Sequence, residues 1–394
     1  MSKQQREQLS GRRSHRKSRN GCNGCKKRHI KCDETRPECR NCVMGERVCS
    51  YLTSGSNPSS IHPSTAYTAS TPSSVASDHV LVVPRDTAEG LLCPGPTFTA
   101  AHMAFLHYAE SNMSKYMALE GRVQPMIDTA VEHAHTAPYL LDQLLALSAL
   151  HLSTQDVAQA SSFRHQATEL QTRALGLFNQ AKSHISESTY MPTFLFASLL
   201  GIHVLHETLQ QRQDTLSEFI DDFVKYLRLH RGVRAIITKY WQRIMQSDLK
   251  PLMYIAVLSE KMDSQTPGEE TKQLREFLES SSTSSTSTEA CLSALDRIQW
   301  VLDMTKQEPS RLDVGTHAVM SWPLVIPDEY IEALHQHRPE ALVVLAFYAA
   351  TLHEYRQYWV FGHSGSFLIH LVAKTVGSFW QDALAWPFHI LAED

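Results

Sequence analysis

From about residue 97 to the end of the chain, apolar residues recur at spacings of three and four, the period of an amphipathic helix. The stretch Pro138-Tyr139-Leu140-Leu141-Asp142-Gln143-Leu144-Leu145-Ala146-Leu147-Ser148-Ala149-Leu150-His151-Leu152 spreads its apolar positions over a wide arc, which predicts a largely buried helix. The same reading predicts helices over 158–183, 191–209, 215–229, 231–246, 249–262, 270–279, 288–305, 328–334 and 338–357, and a last one over about 364–385. Pro192, Pro251, Pro327 and Pro339 stand where helices can begin, because a proline ring presets φ and the first turn does not need its missing N–H. Strand patterns are nearly absent, with Val80-Leu81-Val82-Val83 the one short candidate. The longest apolar run, Ala341 to Ala350, falls short of the roughly 18–20 residues that cross a bilayer, so no membrane segment is expected.

Before residue 97 the helical pattern stops. Residues 51–96 are rich in Ser, Thr and Pro, as in Ser54-Gly55-Ser56-Asn57-Pro58-Ser59-Ser60, and read as a linker without a core. A second Ser/Thr run, 280–288, reads as a surface loop inside the helical part. The pattern therefore predicts a mainly α protein in four parts: a disordered basic arm at 1–20, a cysteine module at 21–50, a disordered linker at 51–96 and a large all-helical domain at 97–394.

Cysteine usage adds the chemistry. Six of the eight cysteines lie at positions 22, 25, 32, 39, 42 and 49, spaced C-x2-C-x6-C twice over, an internal repeat of about 17 residues. Each half offers three sulfurs where tetrahedral zinc takes four, a shortfall that two ions sharing two bridging thiolates would remove. Two separate four-sulfur sites would need more thiols than the module has. A disulfide framework is the competing reading. It is disfavoured because Met1 to Asn20 has no apolar core of a secretory signal and the cysteines alternate with Lys and Arg. About 30 residues cannot bury a useful core, so metal must hold this part together. Metal-binding thiols imply a reducing, intracellular compartment. Cys93 and Cys291 stand alone and read as structural.

The net charge of −4 hides an asymmetry. Residues 1–50 carry 14 of the Lys and Arg against 5 of the Asp and Glu, about +9, which leaves about −13 for the rest. Six thiolates and two dications bring the module to about +7, a polyanion-binding head on an acidic body. The run Arg12-Arg13-Ser14-His15-Arg16-Lys17 also fits a nuclear import signal.

The segment Cys25-Lys26-Lys27-Arg28-His29-Ile30-Lys31-Cys32-Asp33, with Pro37 two residues before Cys39, resembles the fungal Zn(II)2Cys6 binuclear cluster proteins. The resemblance implies two Zn2+, bridged by Cys22 and Cys39. Cys25 and Cys32 complete one site, and Cys42 and Cys49 the other. It implies short helices at about 23–29 and 40–45. It implies base reading of double-stranded DNA, at CGG-type half-sites, by Arg28 and His29. Lys26 and Lys27 project beside them, and Lys31 with Arg16, Lys17 and Arg19 anchors phosphates. His29 departs from the cation usual at its position. No a/d leucine heptad follows the cluster, so coiled-coil dimerisation is not supported and a homodimer through the body stays open.

The body resembles the regulatory domain of the sterol uptake control protein branch at 144–152, 229–236 and 338–346, and at Trp380 and Trp386-Pro387. That implies an all-helical regulatory domain recruiting the transcription machinery or co-regulators, with an apolar ligand in its interior as an open alternative.

No enzyme signature emerges. His206-Glu207 and His353-Glu354 lack the second His of an H-E-x-x-H helix, and Gly362-His363-Ser364-Gly365-Ser366 lacks the final Gly of a nucleophile elbow. The pairs His133/His135 and His335/His337 read as surface or core histidines. The aromatics Phe347, Tyr348, Tyr355, Tyr358, Trp359 and Phe361 read as core. The expectation is a nuclear, non-enzymatic DNA-binding transcription regulator, acting on one secondary-metabolite gene cluster. A sterol-responsive regulator of lipid genes is the alternative, and a thiolate-based metal or redox sensor a distant third.

Overall fold

The computed structural model describes residues 22–27, 30, 32–35, 39–44, 49, 98–181, 189–211, 215–262, 266–281, 286–307 and 309–392. The chain forms two compact units, Met1–Gly90 and Leu91–Asp394. The first holds two short helices, α1 (Asn23–Lys27) and α2 (Arg40–Val43). The second is built from α3 (Ala100–Tyr116), α4 (Gln124–Glu132), α5 (Pro138–Gln155), α6 (Ala160–Ala181), α7 (Tyr190–Gln210), α8 (Leu216–Ile244), α9 (Tyr254–Met262), α10 (Lys272–Ser281), α11 (Thr286–Gln307), α12 (Leu312–Val325), α13 (Asp328–His335), α14 (Pro339–Glu354), α15 (Ser364–Val376) and α16 (Ala385–Ala392). No strand occurs among the described residues. The run Val80–Val83, the basic arm and the linker lie outside them, as does Cys93.

The body has two apolar cores, each gathered around one helix whose whole circumference is covered. In the first, every residue of α5 from Tyr139 to His151 is buried. Polar groups in such a helix need partners. Asp142 has one in Arg173 of α6, whose Nε and Nη2 each donate a 2.7 Å bond to its two carboxylate oxygens. In the second core α14 is buried from Ala341 to His353. There the Trp322 indole stacks on Tyr348 at 4.2 Å and donates to the Ala294 carbonyl at 3.0 Å, while the Tyr330 hydroxyl donates to the Ala341 carbonyl at 3.0 Å. Phe347, Tyr348, Tyr358 and Phe361 are buried in this core, as the sequence predicts.

Gly365 explains the stretch that faintly suggests a nucleophile elbow. It sits in the first turn of α15, and a Cβ there would stand 2.4 Å from the Ala349 carbonyl oxygen and 2.6 Å from the His353 backbone N. The two helices touch backbone to backbone, so the obstruction cannot rotate away. Gly365→Val should therefore lower stability by about 3 kcal/mol or more, read as a shift in denaturant midpoint. An unchanged midpoint would refute this account of the packing.

Several helix boundaries differ from the sequence reading. Residues 215–229 and 231–246 form one helix, α8, whose interior departs from helical geometry only at Tyr240. Gly232 costs a helix only about 1 kcal/mol, and the buried face runs past it through Phe223, Leu227, His230, Val233 and Ile236. The final helix stops at Val376, where Gly377 takes φ +77°, and two 3-10 turns lead into α16. Residues 249–262 divide into a 3-10 turn, Lys250–Met253, and α9. The Ser/Thr run at 280–288 closes α10 and opens α11, because hydroxyl residues suit helix ends; 282–285 lie outside the described residues. α3, α4 and α12 are not drawn by periodicity at all. α12 is apolar on nearly every side and carries Gly315 and Pro323, so it shows neither an amphipathic stripe nor an uninterrupted run.

Candidate metal centre and nucleic-acid interface

The cysteine module uses its 17-residue repeat twice in three dimensions. α1 begins one residue after Cys22 and α2 one residue after Cys39. The Cys22 backbone N donates to Cys32 Sγ at 3.4 Å, and the Cys39 N donates to Cys49 Sγ at 3.4 Å. The Lys26 N donates to the Cys22 carbonyl at 3.1 Å, and the Val43 N to the Cys39 carbonyl at 3.1 Å. Each contact maps onto its counterpart by the same offset. Asp33 joins the halves: its carboxylate accepts from the Arg40 backbone N at 3.1 and 3.2 Å and from the Thr35 hydroxyl at 2.6 Å. Those donors, Thr35 first, hold its carboxyl below the usual carboxylate range.

All six sulfurs are buried, and none is in a disulfide. Cys22 Sγ lies 3.6 Å from both Cys39 Sγ and Cys42 Sγ, and Cys25 Sγ lies 3.6 Å from Cys39 Sγ. A disulfide would bring sulfurs to about 2.05 Å. Zn–S bonds of about 2.3 Å in a tetrahedron put neighbouring sulfurs about 3.8 Å apart. The sulfur separations match the second case. Two sets of four sulfurs each lie within 4.8 Å of one another, Cys22/Cys25/Cys32/Cys39 and Cys22/Cys39/Cys42/Cys49, and both contain Cys22 and Cys39. The residues present fit two four-coordinate ions. Packing the thiols together raises Cys25, to about 12, and also Cys39 and Cys42, burial being the first cause in each. Burial opposes the fall of Cys22 to about 6, but the Cys25 backbone N–H and neighbouring thiols donating to it prevail.

Lys26 and Lys27 are exposed in the last turn of α1, the helix tied down by Cys22 and Cys25. Their counterparts by the repeat are Val43 and Met44 at the end of α2, 54% and 82% exposed. The scaffold is thus duplicated while its surface is not: at these two positions one half presents lysines and the other exposed apolar side chains, while the exposed cation of the second half, Arg40, stands at the start of α2. Arg28, His29 and Lys31, with Arg16, Lys17 and Arg19, lie outside the described residues.

In the body, the single cysteine Cys291 is buried, and burial pushes its thiol up to about 12. A cavity of about 430 Å³ opens between α7, α8, α9 and α12. Sequence reading does not single out its lining, and none of the aromatics at 347–361 takes part.

Residues 20–57 match the fungal Zn(2)-Cys(6) binuclear cluster domain, a domain that binds two zinc ions. Two curated relatives align with most of the chain. A Zn(2)-C6 fungal-type transcription factor of Gibberella zeae is 24% identical over 97% of this chain and 87% of its own length. The Zn(2)-C6 fungal-type transcription factor afumD of Aspergillus fumigatus is 25% identical over 84% of each chain. Sterol uptake control protein 2 of Candida albicans is 58% identical over 41 residues, 10% of this chain and 6% of its own. No solved structure matches the chain.

Proposed function

We propose that this chain, which carries a fungal Zn(2)-Cys(6) binuclear cluster domain, is a sequence-specific DNA-binding regulator of RNA polymerase II transcription that acts in the nucleus. The observation that carries the reading is the pair of four-sulfur sets sharing Cys22 and Cys39. Bound zinc supplies the cross-links that so small a module cannot obtain from apolar burial. Cys22 and Cys39 bridge, Cys25 and Cys32 close one site, and Cys42 and Cys49 close the other. This fixes α1, so that Lys26 and Lys27 leave the module from a rigid helix end. Arg28 and His29, next along the chain, donate to base edges in the major groove. Lys31 and the arm residues Arg16, Lys17 and Arg19 meet phosphates. The activity is binding, without a catalysed reaction.

One feature supports action on one secondary-metabolite gene cluster: no leucine heptad follows the cysteine cluster. The likeness to a sterol uptake control protein extends over only 10% of this chain, so it lends the body no sterol role. A ligand-responsive regulator, of which sterol response is one form, is the second reading, and the apolar cavity favours it.

Selection of bound sites from a random pool of duplex DNA by the zinc-loaded chain tests the primary reading. A recurrent CGG-type half-site is expected, and a pool that stays random rejects it. Loss of expression of biosynthetic genes beside its own gene, on deletion, tests the cluster role. Lys26→Ala and Lys27→Ala should each weaken binding to all sequences alike and reduce the slope of log affinity against log salt by about 1. A change confined to one base position would instead place these lysines on base edges.

A further inference from the structure

The cavity of the body has walls of Met117, Phe194, Leu205, Ile237, Met253 and Leu324, among other mostly apolar residues. Its volume, about 430 Å³, is that of a site for a small organic molecule. Among the described residues its lining includes no Asp and no Glu, and Arg234 is the only permanently charged one. Several polar groups in the wall are already engaged. Ser198 and Ser321 donate to the Phe194 and Ala318 carbonyls, and His317 Nδ1 meets the Asp313 carbonyl and the Tyr254 hydroxyl.

Two groups one turn apart on α8 differ. His230 is 7% exposed, and its Nδ1 is buried with no hydrogen-bond partner. That nitrogen faces the backbone of Gly201, not the cavity, so the ring serves the cavity as wall and leaves Arg234 as the group free to meet a ligand. Arg234 is exposed and makes no ion pair among the described residues, whereas Arg228 and Arg231 on the same helix pair with Glu332 and Asp328.

We propose that this cavity binds an apolar carboxylic acid, its hydrocarbon part among the walls, the His230 ring included, and its carboxylate at Arg234. A neutral lipid would leave the guanidinium idle, and a cation would meet it with repulsion. The inference deepens the regulator reading, on which its biological meaning rests, by naming the class of molecule the body senses. Gly201 belongs to the same device. A Cβ on it would lie 2.5 Å from His230 Nδ1, so the ring packs against bare backbone on that side.

The test uses the full zinc-loaded chain without DNA, with 11-(dansylamino)undecanoic acid as fluorescent probe and dodecanoate, methyl dodecanoate and ergosterol as competitors. Saturable one-site binding is expected. Dodecanoate should displace the probe at a concentration about tenfold or more below its methyl ester, as a charge-assisted contact requires. Arg234→Gln should shrink that ratio to below about threefold with no change in melting temperature, since the side chain makes no ion pair to lose. Gly201→Ala, which displaces the ring, should weaken acid and ester together. Absence of saturable binding overturns the proposal. So does displacement by the ester or by ergosterol as readily as by dodecanoate, or an Arg234→Gln chain that keeps its preference for the acid. None of these outcomes depends on DNA recognition, so site selection can succeed while this proposal fails, and the reverse.

Discussion

Replacing Cys22 by alanine should remove both zinc ions, whereas replacing Cys49 should leave one four-sulfur set intact. The difference follows from membership. Cys22 belongs to both sets, and Cys49 only to Cys22/Cys39/Cys42/Cys49. After Cys22→Ala each set is left with three thiols, below the four that a structural zinc site needs. The module has no apolar core to fall back on, since its described buried residues are the cysteines themselves. Folding free energy and metal-binding free energy are then the same quantity. Metal analysis should give close to two zinc per chain for the parent, close to none for Cys22→Ala and Cys39→Ala, and about one for Cys49→Ala. Specific DNA affinity should fall by about a hundredfold or more in the first two, to the level of non-specific binding. Two retained zinc ions and undiminished binding in a Cys22→Ala chain would sink the bridging assignment.

The helical body should lose stability steeply between pH 7 and pH 5. Four histidines, His151, His206, His230 and His317, are each held down at about 4, with burial the first cause in every case. Free histidine titrates near 6.5. Between those two values the unfolded chain binds more protons than the folded one, so stability rises with pH and falls on acidification. The loss begins as pH drops below about 6.5 and levels off below about 4. At pH 5 each such group can cost about 1–2 kcal/mol, enough in sum to rival the whole stability of an ordinary domain. Asp313, Glu207 and Glu270 add a further loss at lower pH. Burial acts to raise their carboxyls, but hydrogen bonds and charge from Arg311 and Arg122, from His203, and from Lys306 and Gln299 respectively hold them down. All six tryptophans lie beyond residue 240, so tryptophan fluorescence during urea unfolding follows the body without interference from the metal module. The midpoint should drop markedly from pH 7 to pH 5. A flat profile would mean that these rings are not held neutral.

What could be read from the sequence follows the range of the interactions involved. The cysteine module was legible because metal ligation imposes a local spacing: C-x2-C places two thiols on one turn, and a repeat shows that the turn is used twice. α5 and α14 are legible because apolar positions spread over most of a helix's circumference leave no face for water. α12 is not, because Pro323 and Gly315 break the run and a helix apolar on nearly every side carries no stripe. The division of α8 at residue 230 does not survive because the buried face continues through His230 and Val233, and tertiary burial carries the helix across. The cavity was beyond reach, since its walls come from residues 117 to 325 and only packing assembles them. Gly201 and Gly365 illustrate the same limit: each is small because of one neighbour far along the chain, His230 in one case and Ala349 in the other. The role of His29, where a permanent cation is usual, rests on sequence alone because that residue lies outside the described structure.

The 17-residue duplication gives the metal module a two-fold framework, yet Lys26 and Lys27 occupy in one half what Val43 and Met44 occupy in the other. A body that is symmetric inside and lopsided outside has a heading. On the proposed reading, such a module on a duplex would distinguish forward from reverse, because turning it end for end replaces two ammonium groups by a valine and a methionine. It would then take a short site as a directed word rather than a palindrome, and a pair of them should tell repeats that point the same way from repeats that face each other.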